Sequence, residues 1–196
     1  MSMKLKLKPL LAAMVLVPTI AASAIAQQTF QHTITGEDLK IMDSALPDGR
    51  DTPAVKSFIE TGVNPYNEVK GCLPRGEENY LSACSGCHGH LAEGKVGPGL
   101  NDGYWTYPKN TTDKGLFETI FGGGQGMMGP HGADMTLDDH LKLMAWIRHV
   151  NTGEGKDAEW LSDPQKAAFK PFNNEHWEKG GGKEAATKEE CKISAK

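Results

Sequence analysis

The pattern of apolar and polar residues predicts helices, and it is strongest in residues 136–150, "TLDDHLKLMAWIRHV". Apolar side chains recur there at intervals of three and four positions, which gives a helix one apolar stripe. The stripe consists of Leu137, Leu141, Met144 and Ala145. Thr136 and Asp139 have the spacing of a capping box, with Asp in place of the usual Glu. The sequence "NTGEG" follows and ends the predicted helix.

Further helices are predicted from shorter patterns that have recognisable starts and ends. The segments are "AVKSFIETG" (54–62), "GEENYLSAC" (76–84), "TTDKGLFETIF" (111–121) and "SDPQKAAF" (162–169). In the third of these, Leu116, Phe117 and Ile120 are predicted to face inward. No segment has a strong strand pattern, so the predicted fold class is all-α.

Residues 1–26 have the pattern of a cleaved secretory signal peptide. Three lysines precede an apolar run over residues 9–20, and the segment ends in Ala24-Ile25-Ala26, a small-x-small cleavage pattern. The apolar run is short for a membrane-spanning helix. No cysteine lies near the cleavage site to carry a lipid anchor. We therefore expect export to the periplasm without a membrane anchor.

The mature chain divides into three segments by composition. Residues 27–67 are polar, with little periodicity, and are predicted to form an N-terminal arm packed on a domain. Residues 68–155 contain the strongest helical patterns and form the predicted domain. Residues 156–196 are a polar C-terminal extension, in which "KGGGKEAATKEE" has the composition of a linker.

Cleavage of the signal peptide would leave an acidic protein. The remaining chain has 18 Lys and Arg against 25 Asp and Glu, a net charge of −7. Such a chain is a poor partner for nucleic acid. It would attract a partner with a basic surface, and salt would screen that attraction. The alternative interpretation is that the acidity serves solubility only.

The motif that carries chemistry is Cys84-Ser85-Gly86-Cys87-His88, the Cys-x-x-Cys-His pattern of covalent c-type haem attachment. Two thiols at this spacing match the two haem vinyl groups, and His88 then lies beneath the iron as a ligand. A thioredoxin-like pair needs a βαβ pattern, which this sequence lacks. A zinc site needs more ligands at matching spacing. A plain disulfide would not explain the histidine, so haem attachment is the prediction.

The two other cysteines, Cys72 and Cys191, are predicted to form a disulfide. An oxidising compartment disfavours unpaired thiols, and haem would use the thiols of the motif. The bond would tie the C-terminal extension to the domain.

Residues around the motif resemble those of small class I c-type cytochromes. Three of them lie on one helical face at i, i+4 and i+8. They are Gly76, Tyr80 and Cys84. Trp146 matches the aromatic residue of the last helix in that family, where the glycine lets the two helices cross closely. Pro98 in "VGPGL" matches the proline whose carbonyl accepts a hydrogen bond from the proximal histidine, here His88.

A closer resemblance is to the cytochrome c-L family, the acidic electron acceptors of quinoprotein methanol dehydrogenases. It runs from "RDTPAVKSFIETG" to "AWIRHV" and continues weakly to Cys191. The resemblance implies one covalent haem c and the transfer of single electrons rather than enzymatic catalysis. The implied donor is a pyrroloquinoline quinone-dependent methanol dehydrogenase, and the implied acceptor is a second c-type cytochrome that leads to an oxidase. The family sometimes carries a calcium ion, and the sequence has no dense oxygen-ligand motif that would locate one.

In class I cytochromes the sixth iron ligand comes from the loop before the last helix, here "GQGMMGPHGADM" (124–135). Met128, forty residues after the motif histidine, is the predicted ligand, because a thioether favours ferrous iron and raises the potential. His131 is the alternative ligand. Met127 and Met135 are interpreted as packing residues.

Two loops are predicted to meet the haem or a partner. Tyr104 and Trp105 are candidates for hydrogen bonds to the haem propionates, with ordinary loop packing as the alternative. Gly122, Gly123 and Gly124 are predicted to let a redox partner approach the haem edge closely.

Four further histidines are interpreted as ordinary surface residues. They are His32, His140, His149 and His176. A protein with an open sixth site would instead be a peroxidase or a gas sensor, and a carrier without donor preference would be a general electron shuttle. The identity of the sixth ligand distinguishes the first alternative from an electron carrier.

Overall fold

The computed structural model describes residues 28–173, 175 and 189–193. The predicted signal peptide lies outside these residues, as does His176. The α-helices of the described part are α1 (Ile41–Ser44), α2 (Pro53–Thr61), α3 (Leu73–Ala83), α4 (Ser85–His88), α5 (Asp113–Gly122), α6 (Leu137–His149) and α7 (Asp163–Ala168). Short 3-10 helices cover Lys70–Cys72, Pro108–Thr111 and Gly155–Asp157. One isolated bridge joins Gln31 and Asp38, and no strand is present in the described residues, so the all-α prediction is confirmed.

Helix α2 ends at the predicted position. The Thr52 hydroxyl oxygen accepts a hydrogen bond from the Val55 amide at 3.2 Å, and Pro53 suits the first turn. Gly62 follows the last residue with a φ of 72°, a left-handed conformation that glycine adopts without strain. Its amide donates to the Phe58 carbonyl at 2.7 Å and closes the last turn.

Helix α5 begins at Asp113, two residues after the predicted start. The reason is the cap: the Thr112 hydroxyl oxygen accepts a hydrogen bond from the Gly115 amide at 3.1 Å. Its predicted inward-facing residues are buried. They are Leu116, Phe117 and Ile120.

The apolar core around α5 continues into the predicted arm. The ring of Phe117 lies 5.0 Å from that of Phe58 and 5.6 Å from that of Phe30, measured between centroids. All three side chains are buried. One core therefore crosses the boundary at residue 67, because the arm lacks enough apolar residues to form a core alone.

Helices α3 and α6 cross at the predicted glycine. A Cβ atom on Gly76 would lie 2.2 Å from the Lys142 carbonyl oxygen, so a larger residue would push the helices apart. One turn further along α3, the ring of Tyr80 packs 4.5 Å from that of Trp146. Helix α3 begins at Leu73, earlier than predicted, because Pro74 fits a first helical turn.

Helix α6 begins as its sequence predicts. The Thr136 hydroxyl oxygen accepts a hydrogen bond from the Asp139 amide at 3.1 Å. The Asp139 carboxylate forms an ion pair with Arg75 of α3, with 3.0 Å between a guanidinium nitrogen and a carboxylate oxygen. The hydroxyl therefore supplies the cap, and the carboxylate joins the two crossing helices.

A disulfide joins Cys72 and Cys191 across 119 residues of sequence, as predicted. The chain passes close to the neighbouring glycine, since a Cβ atom on Gly71 would lie 2.5 Å from the Glu189 carbonyl oxygen. Helix α7 of the extension starts with a capping box formed by Ser162 and Gln165. No helix among the described residues is long and apolar enough to cross a membrane.

Candidate functional site

The site begins where α3 runs directly into α4. Cys84 lies between α3 and α4, and its carbonyl accepts hydrogen bonds from the Cys87 amide at 3.1 Å and the His88 amide at 3.0 Å. These bonds form one tight turn. The two cysteines are three positions apart in this turn, which brings their side chains to one side of the chain. Both thiols are free, with Cys84 half-buried and Cys87 exposed.

The burial of Cys84 argues against a redox-active pair. Burial raises the pKa of the Cys84 thiol to about 12. A thioredoxin-like cysteine needs a lowered pKa, because the thiolate is the nucleophile. Among the described residues, no group of three or more His, Cys, Asp and Glu side chains could hold a metal ion, so a zinc site has no support there.

The imidazole of His88 is held in one orientation. Its Nδ1 lies 2.8 Å from the Pro98 carbonyl oxygen, which can only accept a hydrogen bond. Nδ1 therefore carries the proton, and the lone pair of Nε2 is available to a metal ion. A Cβ atom on Gly97 would lie 2.7 Å from Cε1 of the ring, so glycine is needed at this position.

The loop that supplies this carbonyl is fastened to the motif itself. The Gly97 amide donates to the Cys87 carbonyl at 2.9 Å, and the Gly94 amide donates to the His88 carbonyl at 2.7 Å. The Tyr80 hydroxyl donates to the Gly89 carbonyl at 2.8 Å. The orientation of the imidazole thus depends on both α3 and the loop.

The glycine-rich loop follows α5. It turns at Gly123, whose φ is 91°, and the Gly124 amide donates to the Met128 carbonyl at 3.0 Å. The side chain of Met128 is half-buried and packs against the core. Met135 also packs there, but Met127 is 84% exposed, so its interpretation as a packing residue was wrong.

His131, the alternative ligand, is also fixed in position. Its amide donates to the Ile120 carbonyl at 3.1 Å, and its Nδ1 lies 2.7 Å from an Asp134 carboxylate oxygen. This contact leaves Nε2 free. A carboxylate on the far ring nitrogen is a common support for a histidine ligand, so Met128 and His131 both remain candidates.

The prediction for the glycines was wrong in part. Gly122 and Gly123 are buried, and Gly122 is covered by His32 and Leu39 of the arm. A partner cannot approach these two positions. Only Gly124 of the three is partly exposed.

The interpretation of His140 as a surface residue was also wrong. Its side chain is fully buried on α6 between the rings of Phe117 and Phe121, 5.8 and 5.7 Å away. The ring Nδ1 lies 2.9 Å from the Thr136 carbonyl oxygen. Burial lowers the pKa of His140, although the Thr136 carbonyl opposes this effect. His32 and His149 are half-buried.

The aromatic residues proposed for the propionates differ in their surroundings. Tyr104 is 70% exposed, whereas Trp105 is buried with its ring centroid 5.1 Å from the Arg148 guanidinium carbon. Their contact with propionates stays a prediction. Tyr107 makes a contact that no sequence pattern indicated: its hydroxyl oxygen accepts a hydrogen bond from the Gln125 amide at 2.7 Å. No local pattern connects residues 18 positions apart on two loops.

The described residues fit a covalent haem c. Two free thiols in one turn can form the thioether bonds, an imidazole with Nε2 available can bind the iron, and a loop with two further donors follows. Cytochrome c-L of Methylorubrum extorquens is 56% identical to this chain. The aligned region covers 79% of this chain and 80% of the relative. This chain belongs to the cytochrome c-L family.

Solved structures agree with this assignment. Cytochrome cL from Hyphomicrobium denitrificans has 63% sequence identity and a TM-score of 0.75, covering 86% of this chain and 100% of its own. Cytochrome CL from the marine methylotrophic bacterium Methylophaga aminisulfidivorans has 50% sequence identity and a TM-score of 0.72. It covers 75% of this chain and 97% of its own. The family described as cytochrome C oxidase, cbb3-type, subunit III matches residues 73–147.

Membership in the cytochrome c-L family gives the chain its fold and its cofactor. The fold is that of a class I cytochrome c, and the cofactor is covalently bound haem c with its iron. The chain is thus a c-type cytochrome of the kind found in methylotrophic bacteria.

Proposed function

We propose that this cytochrome is a periplasmic electron carrier, not an enzyme, that accepts single electrons from a pyrroloquinoline quinone-dependent methanol dehydrogenase. It passes them to a second c-type cytochrome on the way to an oxidase. The observation that carries the proposal is the likeness to cytochrome c-L over most of the chain, with its attachment motif and ligand loop intact.

Cys84 and Cys87 would hold the haem through thioether bonds, His88 would be the fifth ligand and Met128 the sixth. The iron, when bound, supplies a one-electron couple between the ferrous and ferric states. Pro98 fixes the tautomer of His88 through its carbonyl oxygen and keeps Nε2 directed as a ligand. The Met128 thioether favours the ferrous state, which suits a carrier that delivers electrons to an oxidase.

The division of the chain belongs to the proposal as well. Residues 1–26 would direct export and be removed, residues 27–67 would form the arm, and residues 68–155 would hold the haem. Residues 156–196 would form the extension, which the Cys72–Cys191 disulfide attaches to the domain.

Stopped-flow reduction of the purified holoprotein tests the electron donor. Methanol dehydrogenase should reduce the ferric haem much faster than a quinoprotein glucose dehydrogenase at the same concentration. Equal rates with both dehydrogenases would support a general shuttle instead. Reduction by neither dehydrogenase would reject the proposed donor.

Binding of carbon monoxide and turnover of peroxide test the alternative functions. An electron carrier with two protein ligands should bind carbon monoxide weakly in the ferrous state and should not turn over peroxide. Tight carbon monoxide binding would indicate an open sixth site, as in a gas sensor, and rapid peroxide consumption would indicate a peroxidase.

A further inference from the structure

Tyr107 connects the loop on the His88 side of the site to the glycine-rich loop. It immediately precedes the 3-10 helix Pro108–Thr111, which packs along α5, and its side chain is half-buried. The Gln125 amide donates to its hydroxyl oxygen at 2.7 Å. This hydrogen bond joins the start of the glycine-rich loop to a residue outside that loop.

The same hydroxyl lies beside the predicted sixth ligand. A Cβ atom built on Gly124 would be 3.3 Å from the Tyr107 hydroxyl oxygen and also 3.3 Å from the Met128 sulfur. The Tyr107 hydroxyl and the Met128 sulfur therefore both lie next to Gly124. The hydroxyl accepts from Gln125 through a lone pair, so its own hydrogen is left to donate, and a thioether sulfur is a weak acceptor.

The two candidate ligands are held by different means. His131 is fixed through its amide to the end of α5, at the Ile120 carbonyl. Met128 is bonded within the loop instead, because its carbonyl accepts a hydrogen bond from the Gly124 amide at 3.0 Å. The contacts of this part of the loop with other segments include the one from Gln125 to Tyr107. Loss of that contact would loosen Met128 and leave His131 in place.

We propose that Tyr107 is a positioning residue that keeps Met128, rather than His131, as the sixth ligand of the haem iron. The inference rests on the proposed assignment of Met128. Tyr107 acts on the backbone of Gln125 and on the space beside the Met128 sulfur, and it does not bind the iron itself.

The test is the Tyr107→Phe holoprotein. The variant keeps the ring and removes only the hydroxyl. We expect the ratio of methionine-bound to other ferric forms to fall about fivefold, the effect of one typical hydrogen bond. The readouts are the long-wavelength sulfur-to-iron absorption band of the ferric protein and the midpoint potential, both of which should fall. Imidazole binding, which requires Met128 to leave the iron, should become about fivefold tighter.

Two matched variants make the result specific. Thr106→Val removes a hydroxyl from the exposed neighbouring residue of the same loop, and should leave the band and the potential unchanged. The double variant Tyr107→Phe with His131→Ala removes the competing imidazole and should recover the band.

An unchanged band, potential and imidazole affinity in Tyr107→Phe would overturn the inference, as would a wild-type protein without the sulfur-to-iron band. A double variant that does not recover the band would show that His131 is not the competitor. These outcomes are independent of the donor assay, because a protein with a normal band that methanol dehydrogenase fails to reduce contradicts only the proposed donor.

Discussion

The guanidinium carbon of Arg148 on α6 lies 4.2 Å from the ring centroid of Trp160 in the C-terminal extension. The same guanidinium is 5.1 Å from the ring of Trp105 and forms a buried ion pair with Asp113 at 3.2 Å. The extension is therefore held to α6 by a cation–π contact. The pairing of Arg148 with Asp113 also joins α6 to the start of α5.

Replacing Arg148 by Met should destabilise the holoprotein by about 3–5 kcal/mol, because it leaves the Asp113 carboxylate buried without the opposite charge of its ion pair. Urea unfolding followed by circular dichroism measures the change. Lys56→Met is the control, since the pair of Lys56 with Asp51 is exposed and 3.6 Å long, and should change stability little. Equal effects of both variants would contradict the argument.

Replacing Gly76 by Ala should cost about 1–3 kcal/mol, because the new Cβ atom would clash with the Lys142 carbonyl. Ser82→Ala is the matched control on the exposed face of α3. The higher helix propensity of alanine should make this change neutral or stabilising. Thermal unfolding of both holoproteins compares them, and a stable Gly76→Ala variant would show that α3 and α6 can move apart.

His140 should make stability depend on pH. Its pKa is lowered by burial from an ordinary value of 6.5, so the unfolded chain binds the proton more readily than the folded one. The stability from neutral His140 is therefore present above pH 6.5 and is lost as the pH falls below it, by at most about 1.4 kcal/mol per pH unit. Nearby His131 and Asp139 have smaller, opposing effects on this pKa.

The measurement is the free energy of unfolding between pH 7.5 and pH 5 for wild type and His140→Gln. The variant should be less stable at the upper pH, and the difference should shrink on acidification. A constant difference across this range would mean that His140 titrates alike in the folded and unfolded chains.

The Cys72–Cys191 disulfide should leave no free thiol in the denatured holoprotein when no reductant is present. Replacing both cysteines by serine should lower stability by up to about 4–5 kcal/mol, the loop-entropy figure for so long a loop. Thiol titration and urea unfolding give the two measurements. Two titratable thiols in the wild-type protein would contradict the pairing.

Electron transfer from the dehydrogenase should slow as ionic strength rises, because the mature chain would carry a net charge of −7. Stopped-flow rates from low to physiological salt test this, with reduction by a neutral hydroquinone as the control. A rate that does not respond to salt would mean that the partner docks through apolar contacts and that the acidity serves solubility.

Local sequence determined the helices and the attachment motif. Gly62 ends α2 and Thr136 begins α6 because capping depends on residues within one turn. The Cys84, Cys87 and His88 spacing likewise lies within one turn, so it predicts haem chemistry before any fold is known. The crossing at Gly76 was predictable through the resemblance to class I cytochromes, which supplied the long-range partner Trp146.

Only the tertiary structure decided which side chains are buried and which loops touch. His140 lies on a helix with polar neighbours in sequence, and its burial follows from the position of Phe117 and Phe121 on α5. Gly122 is covered by the side chain of His32, which lies 90 positions earlier in the chain. The contacts of Tyr107 with Gln125 and of Arg148 with Trp160 join segments that no local pattern relates. Hydrophobic periodicity fixes the apolar face of each helix, but the partner of that face depends on how all the helices pack together.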